Sequence, residues 1–487
     1  MKISFINTLI LLAVVSGTAT SQPLRNAAAR PTRRTQEEGL ALPDGIWTFR
    51  GYGYTISVTN GTATAFEETD TTCITNPNLH MLISSSQVEE NGNVAKLTAY
   101  RFVPYFVLDK TDSFQAACAN GPTPTVDEDG YTRDALEIFD VLDQTFVEHF
   151  AHFENHLEGG MSEWVMKTME ERNKLISDSA DEELLSAFDS LLVPLDDYHT
   201  WVKDENNDFL VWSHPFLAST FQNEFEQQND LNDWEMYQQD NIISPWRENA
   251  GSYMTSLTLE ESGLAWGKTT ENIGYMWLQT VPNAFAPEFE GALVALNDTD
   301  ALVIDIRINA GGSDETALLI ASYFASKPFL AFTKQAVGED VVEVNVQPSE
   351  KVYNGPVVMI ISRETYSAAE TLPLAMMQLP QVTLLGRNTG GSYSELPKTL
   401  PNGWAFSLFA EVYLSPDGVD YDHVGIPPEI LPEVELLPLS EREGGTDSWL
   451  ELALTTAEES ANATSDTVAV HASLLWLTLL LLFVVVV

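Results

Sequence analysis

The stretch TYSAAE, Thr365 to Glu370, sets a serine between the apolar run GPVVMII and a segment with helical spacing. A strand, a tight turn and a helix would put the Ser367 hydroxyl at a helix N-terminus, where the macrodipole favours developing negative charge. The N–H of Ala368 would lie beside it as a donor to an oxyanion. An ordinary N-cap serine occupies the same position, so spacing alone leaves Ser367 open between cap and nucleophile. Earlier, DIRINAGGSDE closes another apolar run with Gly311-Gly312. Paired glycines let the backbone approach a ligand and aim its N–H groups at an anion, although a plain glycine-rich turn reads the same way. A third stretch, LLGRNTGGSYSELPKTLPNGW, turns through Gly390-Gly391. His149, His152 and His156 stand at helical spacing on one face, a pattern able to ligate zinc. They flank a Phe-rich stripe and read more simply as an amphipathic face, so no metal or other cofactor is expected.

These residues need elements to hold them. From Ile273 the chain alternates strand and helix: IGYMWLQTV, APEFEGALVALN, ALVIDIR, DETALLIASYFAS, GPVVMIIS, SAAETLPLAMMQ and QVTLLG. Continuous Val/Ile runs alternating with helices predict a multidomain α/β chain with a mostly parallel sheet covered by helices. In such folds function gathers at the carboxyl ends of the strands, where all three stretches lie. Upstream, Ala135, Phe139, Leu142, Phe146, Phe150 and Phe153 recur at helical steps. A further helix is expected to begin near Ser179, with Glu182 completing a capping box. Residues 41–125 read as short alternating strands, with a hairpin turn at Asn60-Gly61. Gly45-Ile46-Trp47 resembles the opening of small lipocalin-like barrels.

Taken together and in order, DIRINAGG, TYSAAE, GRNTGG and YDHVGIPPE resemble the motifs of the C-terminal processing (tail-specific) serine peptidases and their tricorn-like relatives. FDVLDQTFVEHFAHF and LDDYHT resemble the helical layer of that family, so the likeness covers roughly 130–205 and 263–435. It implies a serine peptidase, with Ser367 as nucleophile and Gly311 or Gly312 together with Ala368 as oxyanion donors. One branch of the family uses a lysine base 25 residues after the serine, a position held here by Ser392. The chain is therefore expected to follow the histidine branch, with His199 as base and Asp422 as relay carboxylate. Asp422 stands where Glu is usual, and Tyr198 where a hydroxyl residue often precedes the histidine. Glu370 and Ser392 fall near the site and receive no role. His423 beside Asp422 is a rival base without a family position, and Lys398 lies outside the motif. A PDZ module often found in relatives is not expected within 204–262, which is polar and weakly periodic.

The ends read as processing signals. An apolar run at Leu9 to Val15 followed by small residues is a secretory leader, residues 1–21, and a basic segment follows at 22–40. The apolar core Leu474 to Val487 would make a helix of only about 21 Å, short for a bilayer. With its polar spacer it reads as a lipid-anchor signal over 463–487, with attachment at Asn462. In that oxidising compartment Cys73 and Cys118 would pair, and the sequons at Asn60 and Asn297 would carry glycans. Acidic residues outnumber basic ones 71 to 24, a net charge of −47 that repels nucleic acid. The expected organisation is a β module (41–125), a helical layer (126–203), an insert (204–262), the α/β core (263–436) and a C-terminal helix or linker (437–462). The expected function is a secreted, surface-anchored endopeptidase acting on peptide or protein substrates. The alternative is an inactive binder of lipophilic ligands on the same fold.

Overall fold

The computed structural model describes residues 42–463, apart from 77–86, 99–103, 115, 120, 127, 205, 207, 215–217, 228–233 and 283–284. The expected leader, the basic segment 22–40 and the terminal apolar run lie outside the described residues. Asn462 stands exposed in the last turn of a helix over 448–463. Among the described residues no helix is long and apolar enough to cross a membrane.

Seven short strands between Gly45 and Thr111 form one antiparallel sheet. The Asn60-Gly61 turn has φ of 52° and 74°, the left-handed pair that a two-residue hairpin requires. The edge strands Cys73–Thr75 and Gln87–Asn91 do not pair with each other, so among the described residues the sheet is open and not a closed barrel. A disulfide ties Cys73 to Cys118, with Cα atoms 5.1 Å apart.

The helix Ala135–His149 begins at Asp134, whose carboxylate accepts the Leu136 and Glu137 N–H groups. Phe139, Leu142 and Phe146 line its buried face. Only half of the expected capping box forms, and it sits one residue later. Ser179 Oγ is occupied with the Ile176 N–H, so the helix Asp181–Leu192 starts after Ala180, whose N–H is taken by Glu183. Residues 218–227 and 234–252 are helical and fill the insert.

The central sheet has six strands in the order Ser256–Leu259, Leu264–Lys268, Ile273–Leu278, Ala301–Asp305, Val357–Ile361 and Val382–Gly386. The last four run parallel, whereas the first two join antiparallel. The sheet is therefore mixed. Ala301–Asp305 and Val357–Ile361 are buried throughout because both faces are covered. Leu302, Ile304, Val357 and Met359 face one core with Phe289, Ile320 and Leu372. Ala301, Val303, Val358 and Ile360 face the other, with Trp246, Trp449 and Ala453 from the 448–463 helix.

The Asp305-Ile306-Arg307 motif is structural. Arg307 is fully buried and bonds Asp305 in a fork, while its third nitrogen reaches Asp447 at 2.7 Å. It thereby pins the C-terminal helix beneath the sheet. Just beyond, Ile308–Asn309 pairs in parallel with Glu364–Thr365. That short ladder sets Gly311 and Ser367 at one level above the strand ends. A separate four-stranded antiparallel sheet, in the order Leu396–Thr399, Ala405–Leu408, Trp201–Lys203 and Phe209–Trp212, carries His199 and Ser392 on the segments that lead into it.

Candidate active site

Ser367 precedes the nucleophile helix, Ala368–Met376, with φ 63° and ψ −136°. A non-glycine residue held there stores strain of about 1–3 kcal/mol. An N-cap serine takes extended φ/ψ and bonds the N2 or N3 N–H. Ser367 does neither, and its side chain makes no cap bond. The turn instead presents the hydroxyl half-exposed at the positive end of the helix.

Gly311 passes directly over this turn. A Cβ on it would lie 2.5 Å from Ser367 Cβ and 2.8 Å from the Ala368 nitrogen, and its φ is 90°. Gly312 lies equally close to Val281, whose carbonyl a Cβ would meet at 2.4 Å. The two glycines differ in one respect. The Gly311 N–H is held by Asn309 Oδ1 at 2.9 Å, so it is not free to receive an oxyanion. Among the described residues the N–H groups of Gly312 and Ala368 have no hydrogen-bond partner. These two are the open donors next to Ser367, and the expectation for Gly311 gives way to Gly312.

His199 is buried, and its Nδ1 lies 2.7 Å from Ser392 Oγ. Ser392 Oγ in turn donates to Asp197 Oδ1 at 2.6 Å. The carboxylate can only accept, so the single Ser392 proton goes to Asp197 and Ser392 must accept from His199. That places the ring proton on Nδ1 and leaves Nε2 with its lone pair, the tautomer a general base needs. Asp197 is itself fixed by Thr200 Oγ1 at 2.7 Å and by its own N–H on Ser213 Oγ. Ser392 also accepts the Ser367 N–H on its carbonyl, at 2.6 Å. Ser367 and His199 are thus joined through one residue.

Asp422, the expected relay, stands elsewhere. Its Oδ2 bonds His156 Nε2 at 3.0 Å and Asn155 Nδ2 at 3.0 Å, and lies 3.2 Å from His152 Nδ1. The Nδ1 side of His199 is already filled by Ser392 and Asp197, and the segment 152–156 intercepts Asp422 first. Burial alone would lower the His156 pKa. The Asp422 bond and charge, the Asp197 charge and the Leu195 carbonyl outweigh burial and raise it to about 9. His423, the rival base, packs edge-on against His156 with ring centres 4.7 Å apart. Its pKa is lowered by burial and by the His156 charge. His149 faces Gly53 instead of joining the other two histidines, so the three do not converge on one point. Lys398 is bound to the Tyr52 and Gly53 carbonyls in the β module interface.

Sequence reasoning passed over two residues. Ser392 serves there only to exclude a lysine base, and Asp197 lies within LDDYHT without a role. The spacing carried a signal for both: a hydroxyl at the position of the missing base, and a carboxylate two residues before the histidine. Glu370, on the first turn of the nucleophile helix, accepts the Gly391 N–H and so fixes the loop leading to Ser392. Burial, opposed by its bonds to Thr389, Gly391 and Ser392, pushes its pKa up to about 8.

Residues 272–431 match the family described as Peptidase family S41. A carboxy-terminal-processing protease of Bartonella bacilliformis is 26% identical over 187 residues, 37% of this chain and 42% of that protein. The carboxy-terminal processing protease of Bacillus subtilis is 25% identical over 182 residues, 34% of this chain and 37% of that protein. The chain thus spans about two fifths of the length of the curated relatives it matches. The crystal structure of a candidate peptidase from Parabacteroides merdae superposes with a TM-score of 0.53 at 20% identity, covering 67% of this chain and 97% of that one, a likeness of fold. The match to peptidase family S41 encloses Gly311, Gly312 and Ser367, and the chain is similar to the C-terminal processing peptidases.

Proposed function

We propose that this chain is a serine endopeptidase working by acyl transfer. Ser367 attacks the peptide carbonyl while His199 Nε2 takes its proton. Ser392 and Asp197 hold the ring and stabilise the imidazolium that forms. The N–H groups of Gly312 and Ala368 receive the tetrahedral oxyanion, each worth roughly 3 kcal/mol in the transition state. His199 then returns the proton to the leaving amine, and water repeats the cycle on the acyl-enzyme. The observation that carries this reading is the left-handed Ser367 at a helix N-terminus, joined through Ser392 to a buried His199–Asp197 relay. The leader and terminal signals support a secreted enzyme held on the outer cell surface by a lipid at Asn462, with glycans on the exposed Asn60 and Asn297.

A fluorophosphonate should label the purified protein once, at Ser367, and Ser367→Ala should abolish both labelling and peptide cleavage without unfolding the chain. A folded preparation that resists the probe across pH 6–9 and cleaves nothing in a broad peptide library would replace this reading with the ligand-binding one.

A further inference from the structure

The two open oxyanion donors stand at the N-terminal ends of different helices. The Gly312 N–H lies two residues before the Gly-loop helix, Asp314–Ser322, and the Ala368 N–H opens the nucleophile helix. Their separation depends on how these two helix ends are fixed to each other. A side-chain hydrogen bond joins them directly: Thr371 Oγ1, fully buried, donates to Asp314 Oδ1 at 2.7 Å.

Asp314 is not needed for capping, because Ser313 already caps the Gly-loop helix through the Thr316 N–H. Among the described residues its carboxyl group forms no ion pair. Lys334, from the strand Phe329–Ala336, bonds Glu411 at 2.7 Å. Glu411 and Tyr413 come from the strand Glu411–Leu414, and the Tyr413 hydroxyl lies 3.4 Å from Asp314 Oδ2 and 3.3 Å from Glu411 Oε2. The Tyr52 hydroxyl of the β module closes the cluster on Glu411. Burial pushes the Asp314 pKa up to about 6, against the Thr371 bond and the Lys334 charge. A carboxylate kept there against its desolvation cost, with the cap already supplied, has the register of the two helix ends as its effect.

We propose that Asp314 is a positioning residue for the oxyanion hole, fixing the Gly312 N–H against the Ala368 N–H through Thr371. This rests on the peptidase reading. Displacing one donor by a fraction of an ångström weakens transition-state stabilisation and leaves ground-state binding alone.

The test is saturation kinetics of a fluorophosphonate on the full chain, with folding followed by near-ultraviolet circular dichroism. Thr371→Val, which keeps shape and removes the donor, should lower the maximal labelling rate about tenfold or more with the half-saturating probe concentration unchanged. Thr371→Ser keeps the hydroxyl, and Asp314→Asn keeps an acceptor. Both should stay within about threefold of wild type. Should Thr371→Val misfold, Asp314→Ala must show the same loss in rate. A wild-type rate in whichever of these two variants folds overturns the proposal, as does an equal loss in Thr371→Ser. Those results leave the peptidase reading intact if the wild-type chain labels at Ser367. A wild-type chain that does not label overturns both.

Discussion

At Ser392 a hydroxyl does what no lysine could do in the same place. It cannot take the Ser367 proton, but it can pass a hydrogen bond from His199 to Asp197, fixing which imidazole nitrogen carries the proton. Ser392→Ala leaves Nδ1–H without its acceptor and Asp197 Oδ1 without its donor, while Thr200 still holds Oδ2. Labelling by a fluorophosphonate should fall about a hundredfold, and Asp197→Asn should match it. Asp422→Asn should cost less than about tenfold, because Asp422 reaches His199 only through neighbouring segments. An Asp422→Asn loss as large as that of Ser392→Ala would restore Asp422 to the relay. Asp422 has a different signature, in stability. The His156 pKa rises from 6.5 to about 9 on folding, so the folded state binds its proton more tightly. The stabilisation is fully present below pH 6.5 and is lost as the pH climbs through about 9. Thermal midpoints measured between pH 6 and 10 should fall across that window in wild type and stay flatter in Asp422→Asn. Equal slopes would remove His156 as the cause.

The strands around the site were legible because they are continuous apolar runs bounded by glycine and polar turns, and the burial of Ala301–Asp305 and Val357–Ile361 follows from that pattern. Strand direction was less legible. Leu264–Lys268 alternates no differently from a parallel edge strand, and only its short turn before Ile273 makes it antiparallel. The Gly-Gly loop and the Ser367 turn were readable as a pair, since both sit where an apolar strand stops. The relay was not readable in the same way. Asp197 and Ser392 lie 195 residues apart and meet only because a small antiparallel sheet sets the segments that lead into it side by side. Periodicity within one element carries no information about that. The glycine loop gives a sharp test at this scale. Gly311→Ala would bring a Cβ to 2.5 Å from Ser367 Cβ at a φ of 90°, against atoms that belong to backbone or to a strained turn. A loss of about 1–3 kcal/mol in unfolding free energy is expected from the backbone strain alone. Labelling should vanish in the molecules that still fold, because the serine turn must shift to admit the methyl group. Wild-type labelling in a folded Gly311→Ala protein would show that the loop does not press on the nucleophile turn.

Across the whole molecule, the β module and the α/β core share a buried polar seam. Lys398, from the strand Leu396–Thr399, donates to the Tyr52 and Gly53 carbonyls at 2.7 and 3.1 Å and lies 3.7 Å from the centre of the Tyr54 ring. Glu67 of the module accepts the Thr399 N–H at 2.8 Å, and the Tyr54 hydroxyl bonds the Pro397 carbonyl. Burial depresses the Lys398 pKa to about 8 and raises that of Glu67, each opposing the other group's charge. A sequence reading can place a module boundary near 125, where the pattern changes from strand to helix. It cannot show that a lysine 270 residues further on is driven into the module, since Lys398 looks like any surface lysine in a polar strand. Domains joined by small wet interfaces unfold separately. Two bodies joined by buried hydrogen bonds from Lys398, to Glu67 and from Tyr54 should not, because parting them breaks all of these bonds at once. Calorimetry should therefore show one cooperative transition for residues 42–463. Lys398→Met leaves two carbonyls and Glu67 without their cation. It should cost roughly 3 kcal/mol or more and lower that single transition as a unit, with near-ultraviolet and far-ultraviolet signals moving together. Two resolved transitions in the wild-type chain, or a Lys398→Met protein in which only the module melts early, would mean that the seam is a contact between independent domains.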